Sequence, residues 1–299
     1  MKLLIIKEQV KKEILIMKYA ITAATGNFGQ TAVKELINLV GKENVVAIVR
    51  DIAKGQKVLP EGIELRQGNY DDEASLETAL KGIDRLLFIS SQPGGKVARG
   101  TQHQNVVTAI KNAGVDFVAY TSFPNAQAST SALAGDHRLT ENLIKEQGIK
   151  HSFLRNNWYL QNEMGFLQSG AADQTTTYWT GNQAGWALER EYAEAAAKVL
   201  TMDNPDDVYE FTGKIRSFVE LGAALQEATG NHFEVKQVTK DEYQAQLQAS
   251  GLDEATAALF TSFQDPIEDG SLNQKSDDLT KVLGHELTSL PKAINEILK

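Results

Sequence analysis

Cysteine is absent from the sequence, which excludes disulfides, thiolate nucleophiles and Cys-ligated metals and is compatible with a reducing cytoplasm, the expected location. Long apolar runs are absent as well. Leu3-Leu4-Ile5-Ile6 and Ile14-Leu15-Ile16 are interrupted by Lys7, Glu8, Lys11, Lys12 and Glu13. They are too short for a membrane span or a secretory h-region, and no small-residue cleavage site follows. Positive charge is in deficit, with 30 Lys and Arg against 39 Asp and Glu for a net charge of −9. A broad nucleic-acid surface, which needs clustered cations to displace counterions, is therefore not expected, while a local basic pocket for a small anion stays open. There is no internal repeat, low-complexity tract, Ser-centred hydrolase elbow or P-loop lysine. His103, His151, His232 and His285 lack metal-ligand spacing, so no structural or catalytic metal is expected.

What is present is the composition of an ordinary globular protein, 42% hydrophobic and 23% charged. From Lys18 onward, short β-rich runs alternate with helical ones. The strands are read at Tyr19 to Thr22, Val45 to Val49, Ile63 to Arg66, Arg85 to Ile89, Phe117 to Tyr120 and His151 to Leu154. Phe28, Ala32, Val33, Leu36, Ile37 and Val40 recur at helical spacing and Gly41 follows as a stop, giving a βαβ unit. Further helices are read at Leu76 to Leu80, Asn105 to Ala113, His137 to Gln147 and Tyr192 to Leu200. The pattern predicts an α/β fold, a Rossmann-type doubly wound parallel sheet with a smaller C-terminal α/β substrate lobe. Residues 17–155 are expected to form the sheet domain and 156–299 the lobe, partly interleaved with it. The lobe opens irregularly around the polar run Asp173-Gln174-Thr175-Thr176-Thr177. Ser217 with Glu220 and Thr239 with Glu242 have capping-box spacing and predict two helix starts. Met17 is read as the natural start and residues 1–16 as an upstream extension, with a short amphipathic helix as the alternative.

Between the first strand and first helix lies Thr22-Ala23-Ala24-Thr25-Gly26-Asn27-Phe28-Gly29. Glycines in this context let backbone N–H groups and the positive helix end approach a pyrophosphate. Ala23 replaces the usual first glycine and permits the tight turn provided its φ stays negative. The second strand ends on Arg50, where an NAD site usually carries an acid; a guanidinium there can pair bidentately with a 2′-phosphate, and Lys54 adds charge. The cofactor expected is therefore NADP(H), with NAD(H) open because Asp51 could serve its ribose instead.

Ile21 to Gly29, Val46 to Arg50, Phe88-Ile89-Ser90-Ser91, Ala119-Tyr120-Thr121-Ser122 and Leu154-Arg155-Asn156-Asn157-Trp158-Tyr159 together resemble the NmrA-like group of atypical short-chain dehydrogenases. The similarity, strongest to bacterial NADPH:quinone oxidoreductases without flavin, covers Met17 to Lys299. It implies that Ile89, Ser90 and Ser91 lie beside the cofactor at the end of the fourth strand and that Tyr120, Thr121 and Ser122 end the fifth. It also implies that Asn156 to Asn162 pass near the nicotinamide and line a quinone pocket. Departures are Ala23, Asn157 where glycine is usual, and Glu189-Arg190 where Thr-Arg is frequent.

The Tyr-x-x-x-Lys relay of carbonyl-reducing dehydrogenases is missing. The positions four after the eight tyrosines hold Ala23, Ala74, Pro124, Glu163, Asn182, Ala196, Gly213 and Leu247. Quinone reduction tolerates this, because hydride addition gives a hydroquinone anion that needs modest electrostatic support and takes its proton from solvent. Asn156, Tyr159 and Asn162 are the candidates for orienting the acceptor. His137, read near the start of its helix, is a candidate donor to the developing oxyanion, or else a residue that merely holds a loop. Trp158 is equally readable as core packing. The expectation is hydride transfer from NADPH to a quinone-like small molecule without flavin or metal, with a homodimer left open. The rival is a non-catalytic NAD(P) redox sensor acting through a protein partner.

Overall fold

The computed structural model describes residues 17–299, so the reading of residues 1–16 lies outside the described residues. Nine strands are described: β1 Tyr19–Ile21, β2 Val45–Val49, β3 Glu64–Gln67, β4 Arg85–Phe88, β5 Phe117–Ser122, β6 Lys150–Asn156, β7 Thr176–Tyr178, β8 Val208–Phe211 and β9 Val235–Gln237. The helices that matter first are α1 Asn27–Val40, α2 Ile52–Val58, α3 Glu73–Leu80, α4 Arg99–Ala113, α5 Ala132–Glu146, α6 Met164–Ala171, α7 Glu189–Thr201 and α8 Phe218–Thr229.

Seven strands form one parallel sheet in the order β3-β2-β1-β4-β5-β6-β8. Parallel strands need crossovers, and helices supply them on both faces, which is why β2 reads as an unbroken buried Val-Val-Ala-Ile-Val run. Strand order reverses between β1 and β4, the place where open α/β sheets bind ligands. One face packs on Ala32, Val33 and Leu36 of α1 together with Ala193, Ala196 and Ala197 of α7. The other packs on α3, α4 and α5 through Leu76, Leu80, Val106, Ile110 and Ile144.

After β6 the chain leaves the sheet, builds part of the lobe, and returns through α7 to add β8 beside β6, pairing Phe153 with Val208. The lobe encloses an aromatic core of Trp158, Phe166, Tyr178, Trp186, Phe218 and Phe233, with the pair β7 and β9 beside it. Both capping boxes form: Ser217 and Glu220 exchange bonds of 3.3 and 2.8 Å, Thr239 and Glu242 of 3.2 and 2.8 Å.

Three expectations change. The helix read from His137 starts at Ala132, capped by Ser131, because its inner face carries His137, Thr140 and Glu141, which hydrophobic periodicity does not register. Likewise α4 begins at Arg99 rather than Asn105. The polar run before Tyr178 ends in a strand, β7, too short and too polar to announce itself.

Beneath the sheet's C-terminal edge, Arg155 makes two bonds to Glu141, at 2.9 and 2.8 Å, and one to Glu210 at 2.8 Å. Burial pushes the Glu141 carboxyl up, but bonds from Arg155, Gln127 and Ser122 outweigh it and hold the pKa below the ordinary value. A carboxylate with a depressed pKa stabilises the fold above its unfolded pKa, and that contribution is lost as pH falls through the folded value. Glu141→Gln should therefore cost about 3 kcal/mol at neutral pH, the low end for breaking a buried pair because Glu210 still faces Arg155. Denaturant unfolding of both proteins from neutral to acidic pH checks this, with the gap closing on acidification.

Candidate active site

The strand ends at the reversal point are tied together by hydroxyls. Thr22, fully buried, donates to the Leu87 carbonyl at 3.3 Å and accepts from Ile89 N–H at 3.1 Å. The Tyr70 hydroxyl lies 2.5 Å from Thr22 Oγ1 and 2.6 Å from the Ile89 carbonyl, locking β1 to the segment after β4. Sequence reading missed Tyr70, since a lone tyrosine in a turn carries no pattern.

In the turn that follows, Ala23 has φ +50°, in the left-handed region, contrary to the negative φ expected of it. Such a conformation costs an L-residue roughly 1–2 kcal/mol. Gly29 explains why the strain is retained: a Cβ there would sit 2.5 Å from the Ala23 carbonyl oxygen and 2.7 Å from Ala24 Cα, so the turn lies directly on α1. Gly26 caps α1 without a side chain, and no acid stands in the helix's first turn. The Phe28 N–H is instead bound at 3.0 Å by Glu189 Oε1, from the first residue of α7.

At the end of β2, Arg50 is exposed, and among the described residues its side chain has no hydrogen-bond partner, while its carbonyl accepts from Gln67 at 3.2 Å. Asp51 caps α2, its Oδ1 accepting from Lys54 N–H at 3.0 Å. Lys54 itself is exposed on α2.

Past β4, Ser90 N–H donates to Thr121 Oγ1 at 2.8 Å and Ser91 N–H to His103 Nε2 at 3.1 Å, while the Ser122 hydroxyl donates to Glu141 at 2.7 Å. His103 Nδ1 lies 2.8 Å from Thr140 Oγ1, whose own proton goes to the Asp136 carbonyl. His103 is thus the Nδ1–H tautomer, and burial pushes its pKa down to about 3. His137 Nε2 faces the Arg99 guanidinium at 3.1 Å, which leaves its Nδ1–H for the Tyr120 hydroxyl at 2.9 Å. Burial, then Arg99, hold His137 neutral as well. Both its ring nitrogens are therefore engaged, and it sits in the second turn of α5 rather than at the helix start. Tyr120 is fully buried in the same network and lies between β4 and β6, so it presents nothing to a ligand, contrary to the cofactor contact expected of it.

Tyr159 meets the turn after β1, and Asn156 is linked to it through Tyr159. Asn156 Nδ2 donates to the Tyr159 hydroxyl at 2.9 Å, and the Tyr159 ring lies 6.1 Å from that of Phe28. Asn156 Oδ1 is buried and has no partner among the described residues. Burial pushes the Tyr159 phenol above its ordinary pKa, so it remains protonated. Asn162 is exposed, with its backbone N–H on the Tyr159 carbonyl at 2.9 Å. Asn157 is a buried connector whose Oδ1 accepts from Trp158 and Gly185 N–H at 2.9 and 3.1 Å and whose Nδ2 donates to the Leu272 carbonyl. Both Trp158 and Trp186 indoles donate to Glu163 Oε1, each at 3.1 Å.

The Gly29 cradle and the orphaned Asn156 oxygen suit a dinucleotide laid from α1 across the strand ends. No group of three potential metal ligands occurs among the described residues, and none of their helices is long and apolar enough to cross a membrane. A model of the NmrA-like family matches residues 15–298. The chain belongs to the NmrA-like family. Quinone oxidoreductase 2 of Escherichia coli is 34% identical over 284 residues, 93% of this chain and 98% of that protein. The solved structure of an NADPH-dependent quinone oxidoreductase from Escherichia coli, complexed with NADPH, superposes with a TM-score of 0.85 at 34% identity, covering 94% of this chain and 100% of the other. Triphenylmethane reductase from Citrobacter sp., complexed with NADP(H), gives a TM-score of 0.87 at 30% identity over the same shares.

Within this NmrA-like chain Glu163 carries a testable pH signature. Burial, partly offset by the two indoles, pushes its pKa up to about 7. A raised carboxyl pKa means the folded state binds the proton more tightly, so stability falls as pH climbs from the unfolded value through about 7. Glu163→Gln keeps an acceptor for the indoles and removes that slope. Relative to wild type it should gain up to about 3 kcal/mol between pH 5 and 8, measured by denaturant unfolding with tryptophan emission as the probe.

Proposed function

We propose that this chain uses NADPH to reduce a quinone-like small molecule. The observation that carries the reading is the turn seated on α1 at Gly29 with an exposed Arg50 at the end of the neighbouring strand, in a chain 34% identical to a quinone oxidoreductase over nearly its whole length. The leading amides of α1, those of Asn27, Phe28 and Gly29, take the diphosphate, and the turn from Thr22 to Gly26 positions them through its own bonds, Thr22 N–H to the Leu87 carbonyl, Ala24 N–H to Ile48 and Gly26 N–H to Ala23. Arg50 and Lys54, both exposed beside the end of β2, take the 2′-phosphate, in keeping with relatives crystallised with NADPH and NADP(H). Ile89, Ser90, Ser91, Thr121 and Ser122 border the cofactor from the ends of β4 and β5.

Bound NADPH supplies the hydride. Tyr159 supplies a neutral hydroxyl that accepts from Asn156 and, among the described residues, donates to none, leaving its proton for the acceptor's developing oxyanion. Asn156 fixes that hydroxyl and offers its unpaired oxygen to an incoming N–H. Asn162, exposed at the rim, contacts the acceptor rather than the reacting oxygen. His137 acts indirectly, holding Tyr120 and Arg99 in place.

The reading as a whole is tested by NADPH oxidation with benzoquinone and menadione. Cofactor binding without turnover across a broad acceptor panel would shift it to a sensor working through a protein partner. Arg50→Ala should weaken NADPH by about 1.5–3 kcal/mol and leave NADH unchanged, as titration calorimetry would show. Equal losses for the two cofactors would remove Arg50 from the 2′-phosphate site. Tyr159→Phe should lower kcat about tenfold with NADPH affinity nearly unchanged, whereas Asn162→Ala should raise KM for the quinone and spare kcat. Steady-state kinetics of both variants with several quinones separates the roles.

A further inference from the structure

We propose that Glu189 is an internal competitor for the cofactor's diphosphate, occupying the α1 amide that the diphosphate needs. This rests on the dinucleotide lying along turn 22–29. The helix end is built for an anion: Gly26 brings no capping side chain and the first turn holds no acid, so the leading amides of α1 face outward with the positive end of the helix. The anion they receive is a carboxylate 161 residues further along the chain, bound at 3.0 Å to Phe28 N–H. It is not a flexible reach. Glu189 opens α7, which packs along α1 in the same core, and its own N–H is bound to Gln161 Oε1 at 3.1 Å.

Among the described residues no cation pairs with Glu189. On α7, Arg190 turns away to pair with Glu296 at 2.6 Å, and Glu191 binds the N–H groups of Leu188 and Thr288. From the segment after β6, the titratable group nearby is the neutral Tyr159 phenol, whose pKa the Glu189 charge helps to raise. From α1, the contact is the Phe28 N–H. A diphosphate entering here meets a like charge and must break the Phe28 bond or be accompanied by a proton on Glu189. Burial already pushes that carboxyl above its ordinary pKa, with the Phe28 bond opposing.

The competition has a sign in pH. Glu189 is increasingly ionised as pH rises through its raised pKa, so diphosphate affinity is greatest at the acidic end and falls towards neutrality. Because a 2′-phosphate itself gains charge near pH ~6, NADH, which lacks that group, gives the cleaner profile. Binding should also draw in a proton, since the diphosphate raises the carboxyl's pKa further.

The test is titration calorimetry of NADPH and NADH against wild type, Glu189→Gln and Glu189→Ala, in buffers of different ionisation enthalpy. Expected is about tenfold tighter binding of both cofactors to Glu189→Gln at pH 8, with a flattened pH profile for NADH and loss of the linked proton uptake. Without cofactor, Glu189→Ala should melt lower than wild type, and saturating NADPH should reverse that order, which keeps a merely structural role distinguishable. Unchanged or weaker binding of both cofactors to Glu189→Gln overturns the competition while the placement of the dinucleotide stands. Failure of wild type and variants alike to bind either cofactor overturns both.

Discussion

Every strand of the main sheet runs the same way, so all their C-terminal ends come out on one edge, where backbone groups run out of ladder partners. The arrangement of that edge follows from this constraint. Thr22, Tyr70 and Thr121 supply the missing partners as side-chain hydroxyls, and in doing so fix the loops after β1 and β4 against each other. The Gly29 cradle lies above the same reversal point, and Phe28 meets Tyr159 there. The surface offered to a ligand is a by-product of satisfying a parallel sheet.

The charge is arranged in keeping with this. Beneath the edge, His103 and His137 are held neutral by burial and the Tyr70, Tyr120 and Tyr159 phenols stay protonated, while the charges there are engaged, Arg155 by Glu141 and Arg99 by His137. Cations stand at the outer end, where Arg50 and Lys54 are exposed. A dinucleotide's charged phosphates and its uncharged reacting ring would thus meet different dielectric surroundings within one groove.

Much of this was legible in the sequence because each signal there is local. The first six strands, the glycine turn and both capping boxes depend on residues a few positions apart, and they emerge where they were read to within a few residues. What escaped was written across the chain or on an inverted face. The inner face of α5 buries His137, Thr140 and Glu141, which look like solvent positions until Arg155, Ser122 and Tyr120 are brought up to them. Ala23 betrays no positive φ by its identity, since the residues that signal one are Gly, Asn and Asp. Glu189 was visible only as an oddity beside Arg190; its partner on α1 is supplied by tertiary packing.

The burial of α1 by α7 also bears on the order in which the protein can come into being. Ala32, Val33 and Leu36 emerge from the ribosome more than 150 residues before the alanines that cover them, and β6 waits as long as β8 is unmade. At synthesis rates of about 5–20 residues per second, the first βαβ unit spends roughly ten seconds or more with an uncovered apolar helix. A nascent chain ending at residue 155 carries the whole phosphate turn yet lacks the cover of its helix, so competence to hold a dinucleotide should appear abruptly, once α7 and β8 have been made.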